Sequence, residues 1–366
     1  MPKEKTRWTI TALTIPSREP YLKKLIASLN DTPIQSPTEI SIIYNVVTKE
    51  NPYDIEERIK SFSKKLPLTV HFNSHDTSIA GGRNFQLSVC KSPLVCFVDD
   101  DLTLHGDIFS TLEQTLRETP LGLVGIRSYQ EDTNELFKPR DSTPHVDYDG
   151  IRYMPIQGML VAGYKSLFVD IGGFNPRRKF WGEWTEFNLR LWRNGFPTGY
   201  NLNAGYLRHW HKAPESPTRN KAGREAHVLW GLICTALEYD AVDINEATET
   251  FWQLVEERYL AYSFGENLNV KNLLKTTLEL MPRLSMEWGN ISAFKQSVIQ
   301  HPFQFMPFHP LTLEDVQQTL AFASEAIVPY QHQVWGKRRQ RVTLGDIGAA
   351  AVKSAVKKIK TITNRK

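Results

Sequence analysis

What this chain lacks narrows it first. Three cysteines occur in 366 residues, Cys90, Cys96 and Cys234, an odd number in apolar or helical contexts and without metal-ligand spacing. That excludes a disulfide framework and points to a reducing compartment. No stretch offers the roughly 20 uninterrupted apolar residues of a membrane span. The opening MPKEKTRWTI carries charges where a secretory signal would carry an apolar core. The expectation is a cytoplasmic protein. No internal repeat is visible, and from about Ala222 to Ser324 the chain reads as helices with no comparable strand signal. Basic charge over the body is also missing. The net charge is +4, but residues 337–366 hold ten Lys and Arg against one acid, Asp346; that tail accounts for +9 and leaves the other 336 residues at −5. A nucleic-acid-binding body is thereby excluded, since such a footprint is a basic patch on the fold itself.

What is present suits an ordinary globular protein, with 41% hydrophobic and 11% aromatic residues, enough for one large core or two smaller ones. From Trp8 to about Val124, strand-like runs alternate with helix-like stretches. WTITALTI (8–15), EISIIYNVV (39–47), LTVHF (68–72) and LVCFVDDD (94–101) precede helices predicted at about 21–29, 53–65, 80–90 and 106–119, and LGLVGI (121–126) reads as a fifth strand. Such alternation predicts βαβ units and a parallel sheet. Residues 127–155 read as a polar excursion. A short apolar segment (155–164), the turn DIGGFNP, an aromatic and charged helix (180–196) and the strand-like TGYNLNAGYLRHWH (198–211) follow.

The run Leu94-Val95-Cys96-Phe97-Val98 ends in Asp99, Asp100 and Asp101. Adjacent carboxylates repel, so a strand end that concentrates three of them needs a cation or a ring of donors. An Asp-x-Asp pair on such a turn can aim two carboxylates at one divalent ion, and Mg²⁺ or Mn²⁺ takes hard oxygen ligands that it shares with phosphates. A solvated acidic helix cap is the other reading of the triplet.

Six motifs stand in order: TIPSRE (14–19), AGGRN (80–84), FVDDD (97–101), GGF (172–174), WGEWTEFNLRLWRNG (181–195) and RHWH (208–211). In that order and spacing the chain resembles the nucleotide-sugar-dependent glycosyltransferases of GT-A fold, particularly the large family 2, over residues 8 to 212. The resemblance implies an α/β fold, Rossmann-like, with a mostly parallel central sheet and flanking helices, to which this chain adds a C-terminal helical region. Sugar-phosphate nucleotidyltransferases share the sheet, but TIPSRE is not the Gly-rich loop expected of them.

The resemblance implies a site. Pro16, Ser17 and Arg18 end the first strand, where a Pro-fixed turn can present its backbone to a nucleoside and Arg18 can approach phosphate. Asn45 stands where members often carry an Asp that reads uracil. Arg83 and Asn84, at a helix N-terminus, suit base, ribose or diphosphate, and Arg83 could equally pair with Asp99 or Asp100. Asp99 and Asp100 are expected at the nucleotide, Asp99 and Asp101 at Mn²⁺ or Mg²⁺, with His209 or His211 completing the shell. Neutralising the diphosphate leaving group is the main electrostatic task of sugar transfer.

In inverting members a carboxylate of the WGEWTEF helix deprotonates the acceptor hydroxyl. Trp184 fills the slot where an Asp is usual, leaving Glu183 as the expected base and Glu186 in reserve; Glu186 could instead pair with Arg190 at i,i+4. A catalytically impaired sugar- or nucleotide-binding protein is the alternative that Trp184 raises. Trp181 and Trp184 could floor an acceptor sugar. The implied partners are a nucleotide-diphosphate sugar, a UDP-sugar first among them, and a hydroxyl of a glycan or lipid-linked glycan.

Three segments are expected: a catalytic domain over 1–220, a helical accessory domain over 221–336 and a basic amphipathic tail over 337–366. On a helical wheel of the tail, Leu344, Ala351, Val352, Ala355, Val356, Ile359 and Ile362 oppose Lys353, Lys357 and Lys360. With KRRQR (337–341) before it, this resembles an interfacial helix drawn to anionic lipid, at about 1 kcal/mol per basic residue near the surface. Peripheral attachment to the inner face of a membrane is the corresponding expectation.

Overall fold

The computed structural model describes residues 8–46, 48–130 and 146–210, apart from residues 155, 157, 177, 179–181, 194 and 195. Trp181, His211, the accessory segment, the boundary near residue 220 and the basic tail lie outside the described residues.

The chain opens with strand β1 (Trp8–Thr14), a 3₁₀ turn (Pro16–Arg18) and helix α1 (Glu19–Asp31). It continues through β2 (Thr38–Tyr44), α2 (Pro52–Lys60), β3 (Leu68–Phe72), α3 (Ile79–Val89) and β4 (Leu94–Asp99). Two of the apolar runs become strands buried on both faces: β1 is buried along all but one residue and β4 along all but its last, as a parallel strand sandwiched between helices must be, whereas the edge strand β3 buries only Val70. Helix α1 turns Leu22, Leu25, Ile26 and Leu29 to the core at helical spacing.

Then come β5 (Leu102–His105), α4 (Phe109–Glu118), β6 (Leu123–Ile126), β7 (Ser128–Gln130), β8 (Val146–Tyr148), β9 (Ile151–Tyr153), β10 (Leu160–Tyr164), α5 (Lys165–Asp170), α6 (Glu183–Arg193), β11 (Thr198–Asn201) and β12 (Tyr206–His209). A nine-stranded sheet runs β3-β2-β1-β4-β10-β6-β11-β9-β8, and a three-stranded sheet runs β5-β12-β7. Strands β1 to β4 are mutually parallel, β10 is antiparallel to both neighbours, and β6 and β11 are parallel again. Most strands of the large sheet therefore point one way.

Three local expectations change. Strand β5 intervenes between the Asp triplet and α4, so the triplet lies in a tight turn between strands rather than at a helix start. The polar excursion at 127–155 contains β7, β8 and β9. The strand-like 198–211 splits in two, because Asn201 Oδ1 accepts the amides of Asn203 and Ala204 at 2.8 Å each and folds the chain back. Strand β12 then joins the small sheet, with His209 opposite Leu102.

Sequential order reverses at β1. The chain moves outward from β1 to β2 and β3, then α3 carries it back to β4 on the other side of β1. The carboxyl ends of β1 and β4 thus flank the topological switch point, where open α/β sheets bind ligands. The PSR turn and the Asp triplet occupy those two ends.

Candidate active site

The three carboxylates find their partners in two arginines and a histidine. Arg18 donates through Nε to Asp100 Oδ1 at 2.7 Å, its Nη2 lies 2.6 Å from the same oxygen, and that nitrogen also reaches Asp101 Oδ2 at 2.8 Å. His209 Nε2 approaches Asp101 Oδ2 at 3.3 Å. Arg83 Nη2 lies 3.2 Å from Asp99 Oδ1.

These environments separate the acids. Burial pushes the Asp100 carboxyl up to about 6, with Arg18 only partly opposing it. For Asp101 burial acts in the same sense, but the hydrogen bond from His209 and the charge of Arg18 outweigh it and hold the carboxyl below the ordinary range. Burial depresses His209, and Asp101 more than reverses that, so its imidazolium is favoured. Asp99 is the most open of the three, its side chain 37% exposed. Its backbone N–H donates to Met159 O at 2.8 Å, and its Oδ2 accepts from Met159 N at 3.3 Å. Met159 holds a left-handed φ of 72°, a costly conformation for a non-glycine residue. That contact was not legible from the sequence; only the Gly158-Met159 step hinted at it.

Arg83 joins the triplet to the WGEWTEF helix. Its guanidinium is buried over the Trp184 ring, 4.9 Å from the centroid, and its Nε lies 3.5 Å from Glu183 Oε1. Arg83 therefore plays the pairing role and brings Asp99 and Glu183 to one side chain. Glu183 begins α6, where a carboxylate meets the positive end of the helix dipole.

Glu186 is otherwise engaged. It is fully buried and makes a bidentate pair with Arg190 at 3.0 and 2.8 Å, while Arg190 also donates to the carbonyls of Ile171 and Gly173. The geometry gives Glu186 the task of anchoring the GGF turn to α6.

Other expected contacts resolve similarly. Asn84 accepts from Phe174 N at 2.7 Å and donates to Phe174 O at 2.8 Å, so its amide is spent on the GGF turn. Gly173 is required there: its φ is 67°, and a Cβ would lie 2.7 Å from Asn84 Oδ1. Asn45 is spent as well. Its Nδ2 donates to the carbonyls of Thr77 and Ser78, and its Oδ1 accepts from Asn73. Asn45 thus builds the loop before α3, whose N-terminus Ser78 caps by accepting from Gly81 N. Trp184 is buried in T-shaped contact with Phe97, Phe174 and Phe187; it is a core ring beneath Arg83 rather than an open floor for a sugar. Pro16 and Ser17 stay exposed at the end of β1, where their backbone can meet a ligand. Asn188, unremarked in the sequence, links α6 to Ile156 and Thr198 through its amide.

A divalent cation can be tested against these residues. Four carboxylates, Asp99, Asp100, Asp101 and Glu183, face Arg18, Arg83 and His209, so added positive charge would favour the approach of an anionic diphosphate. Among the described residues no three metal-ligating side chains already converge. Asp99 and Asp101 nevertheless supply two hard oxygens beside the switch point, and Mg²⁺ and Mn²⁺ characteristically take one or two protein carboxylates, with phosphate and water completing the shell. The donor set fits such an ion.

A nine-stranded, mostly parallel sheet with an acidic triplet at its switch point defines a GT-A architecture. Residues 14–183 match the family model described as glycosyl transferase family 2. Among solved structures the chain is similar to GalNAc-T7, crystallised with UDP, GalNAc and Mn²⁺, at 14% identity and a TM-score of 0.49, over 81% of this chain and 58% of that one. It is also similar to the mannosyltransferase PcManGT from Pyrobaculum calidifontis, in complex with GDP-Man and Mn²⁺, at 16% identity and a TM-score of 0.48, over 82% and 88% of the two chains. S. aureus TarS is similar at 16% identity and a TM-score of 0.48, over 92% of this chain and 56% of that one. The chain thus spans under two thirds of the length of the first and third of these. No curated protein sequence matches it.

Proposed function

We propose that the protein transfers a sugar from a nucleoside diphosphate donor, a UDP-sugar first among them, to a hydroxyl of a glycan or lipid-linked glycan, with inversion and with Mn²⁺ or Mg²⁺. The observation that carries the reading is Arg83 between Asp99 and Glu183, which sets a carboxylate of the switch point and a carboxylate of α6 on one guanidinium.

Asp99 and Asp101 would hold the cation, with His211, outside the described residues, as a further ligand. The ion supplies charge neutralisation to the diphosphate leaving group. The exposed backbone of Pro16 and Ser17 borders the donor, and Arg18 is the guanidinium nearest the phosphates. Glu183 is the base: one of its carboxylate oxygens takes the proton of the acceptor hydroxyl as that oxygen bonds to the anomeric carbon. The anomeric C–O bond breaks with its electron pair leaving on the diphosphate.

Trp184 in the slot of a second acid does not empty the site, because its ring supports Arg83 beside Glu183. That favours an active enzyme over an impaired binding protein. Among the described residues no helix is long and apolar enough to cross a membrane. The basic composition of residues 337–366 supports attachment to an anionic membrane surface, where a lipid-linked acceptor would be met.

The test is nucleoside diphosphate release from a panel of UDP- and GDP-sugars with Mn²⁺ and with chelator. Chelator-sensitive release from at least one donor is expected. Silence across the panel, with no thermal shift from any nucleotide, would reject the reading.

A further inference from the structure

Trp184 stands where a second acid is usual, and its indole N–H is not used by the fold. The residue is 6% exposed, with the Arg83 guanidinium over the ring and Phe97, Phe174 and Phe187 packed around it. Nε1 is buried, yet no acceptor meets it. Folded proteins rarely leave a buried donor unmade, so the partner of this one is to be sought outside the fold. The neighbouring backbone is shaped to match. A Cβ on Gly158 would lie 3.0 Å from Trp184 Cδ1, 3.1 Å from Nε1 and 3.9 Å from Asp99 Oδ2. The φ of Gly158 is outside the left-handed region, so the backbone itself does not demand glycine there. What the missing side chain leaves is space between the indole N–H and the carboxylate. Met159, next along the chain, holds a φ of 72° and donates its N–H to the same Oδ2 at 3.3 Å.

The chemistry of the two borders selects the occupant. It must accept from an indole N–H and be tolerated by a carboxylate. A phosphate oxygen accepts, but its charge is repelled by Asp99; a hydroxyl accepts through a lone pair and donates its proton to Oδ2. Position selects the sugar. Arg83 lies over the Trp184 ring and reaches both Asp99 and Glu183, so the indole stands beside the proposed base and the reacting sugar, away from the nucleoside. From this we infer that Trp184 Nε1–H donates to a hydroxyl of the transferred sugar, which donates in turn to Asp99 Oδ2, the Gly158–Met159 step giving way to admit the oxygen. Trp184 is then a residue that selects the donor by its sugar. The inference rests on the reading of this chain as a glycosyltransferase with Glu183 as base.

The experiment compares bare nucleotides with sugar nucleotides on the full-length chain. The probes are UDP, UDP-glucose, UDP-galactose, UDP-N-acetylglucosamine, GDP and GDP-mannose, each with Mg²⁺ and without acceptor. In ¹⁵N-tryptophan-labelled protein, the Trp184 indole signal, identified by its absence from Trp184→Phe, should move downfield with the sugar nucleotide that binds and not with its bare diphosphate. By calorimetry, Trp184→Phe, which keeps a ring and removes the N–H, should weaken that sugar nucleotide by about 10-fold and leave the bare diphosphate within about 2-fold of the parent. Gly158→Ala, which fills the gap, should do the same with the indole intact, and it carries the comparison if Trp184→Phe fails to fold. An indole signal that the sugar does not move, as a bound water on Nε1 would give, overturns the assignment and leaves the transferase reading standing. So does a Trp184→Phe protein that loses sugar nucleotide and bare diphosphate equally, or neither. A parent chain that binds none of the six probes overturns both.

Discussion

Arg83 Nε lies 3.5 Å from Glu183 Oε1 across a sequence gap of a hundred residues, and the guanidinium that makes this contact also reaches Asp99 at 3.2 Å. One buried side chain from α3 thus couples the end of β4 to the start of α6. A shift of either element would be felt at both carboxylates.

Glu183→Gln should leave donor affinity nearly unchanged and lower turnover by about 10²-fold or more, the scale of a lost general base. Glu186→Gln should behave differently. It breaks a buried pair with Arg190, so unfolding free energy should fall by about 3 kcal/mol, read by chemical denaturation. A Glu186→Gln protein that folds normally but loses turnover would transfer the base role to Glu186.

Asp101→Ala should abolish transfer and remove the cation-dependent part of donor binding, measured by calorimetry with and without chelator. Retained activity in this variant would remove the cation from Asp101.

Asn45→Asp installs the acid that relatives often carry, yet here it should not improve uridine binding. The substitution replaces two N–H donors to the Thr77 and Ser78 carbonyls with an acceptor, and leaving buried partners unmade costs about 2 kcal/mol. A lower melting temperature without tighter UDP binding is expected. Tighter UDP binding at unchanged stability would restore Asn45 to the base site.

Asp100 sets a pH dependence. Its folded-state pKa is raised to about 6 from an ordinary 3.8, so its neutral form is favoured by the fold. The stability it contributes is fully present below the unfolded value and is lost as pH rises from about 4 through about 6. Asp100→Asn cannot ionise, so its melting temperature relative to the parent should rise between pH 4 and pH 7. A flat difference across that window would contradict the assignment.

Deleting residues 337–366 should release the protein from vesicles that contain anionic lipid, measured by cosedimentation, and leave behaviour on neutral vesicles unchanged. Equal binding by the truncated chain would defeat the membrane proposal.

Much of the described fold was readable because its signals are local. Strand runs buried on both faces, helical spacing such as Leu22, Leu25, Ile26 and Leu29, and an acidic triplet at a strand end all survive in a one-dimensional pattern. The split of residues 198–211 into two strands was not readable. It depends on the Asn201 side chain accepting two backbone amides and turning the chain, a contact that a strand pattern does not specify.

The sequence by itself determined the order of the motifs, the parallel βαβ start and the concentration of three carboxylates at the end of a strand. Only the tertiary structure decided which polar groups remain available to a ligand. Asn45, Asn84 and Glu186 looked like site residues, and each is used by the fold: Asn45 by Asn73 and the Thr77 and Ser78 carbonyls, Asn84 by Phe174, and Glu186 by Arg190. The reason is that a buried polar group must find its hydrogen-bond partner wherever the fold places one. For Asn45 and Asn84 those partners lie far along the chain, and for Arg190 the carbonyls it also ties down do. The Asp triplet kept its functional reading for the converse reason, since the fold supplies three carboxylates with Arg18, Arg83 and His209 and still leaves Asp99 partly open.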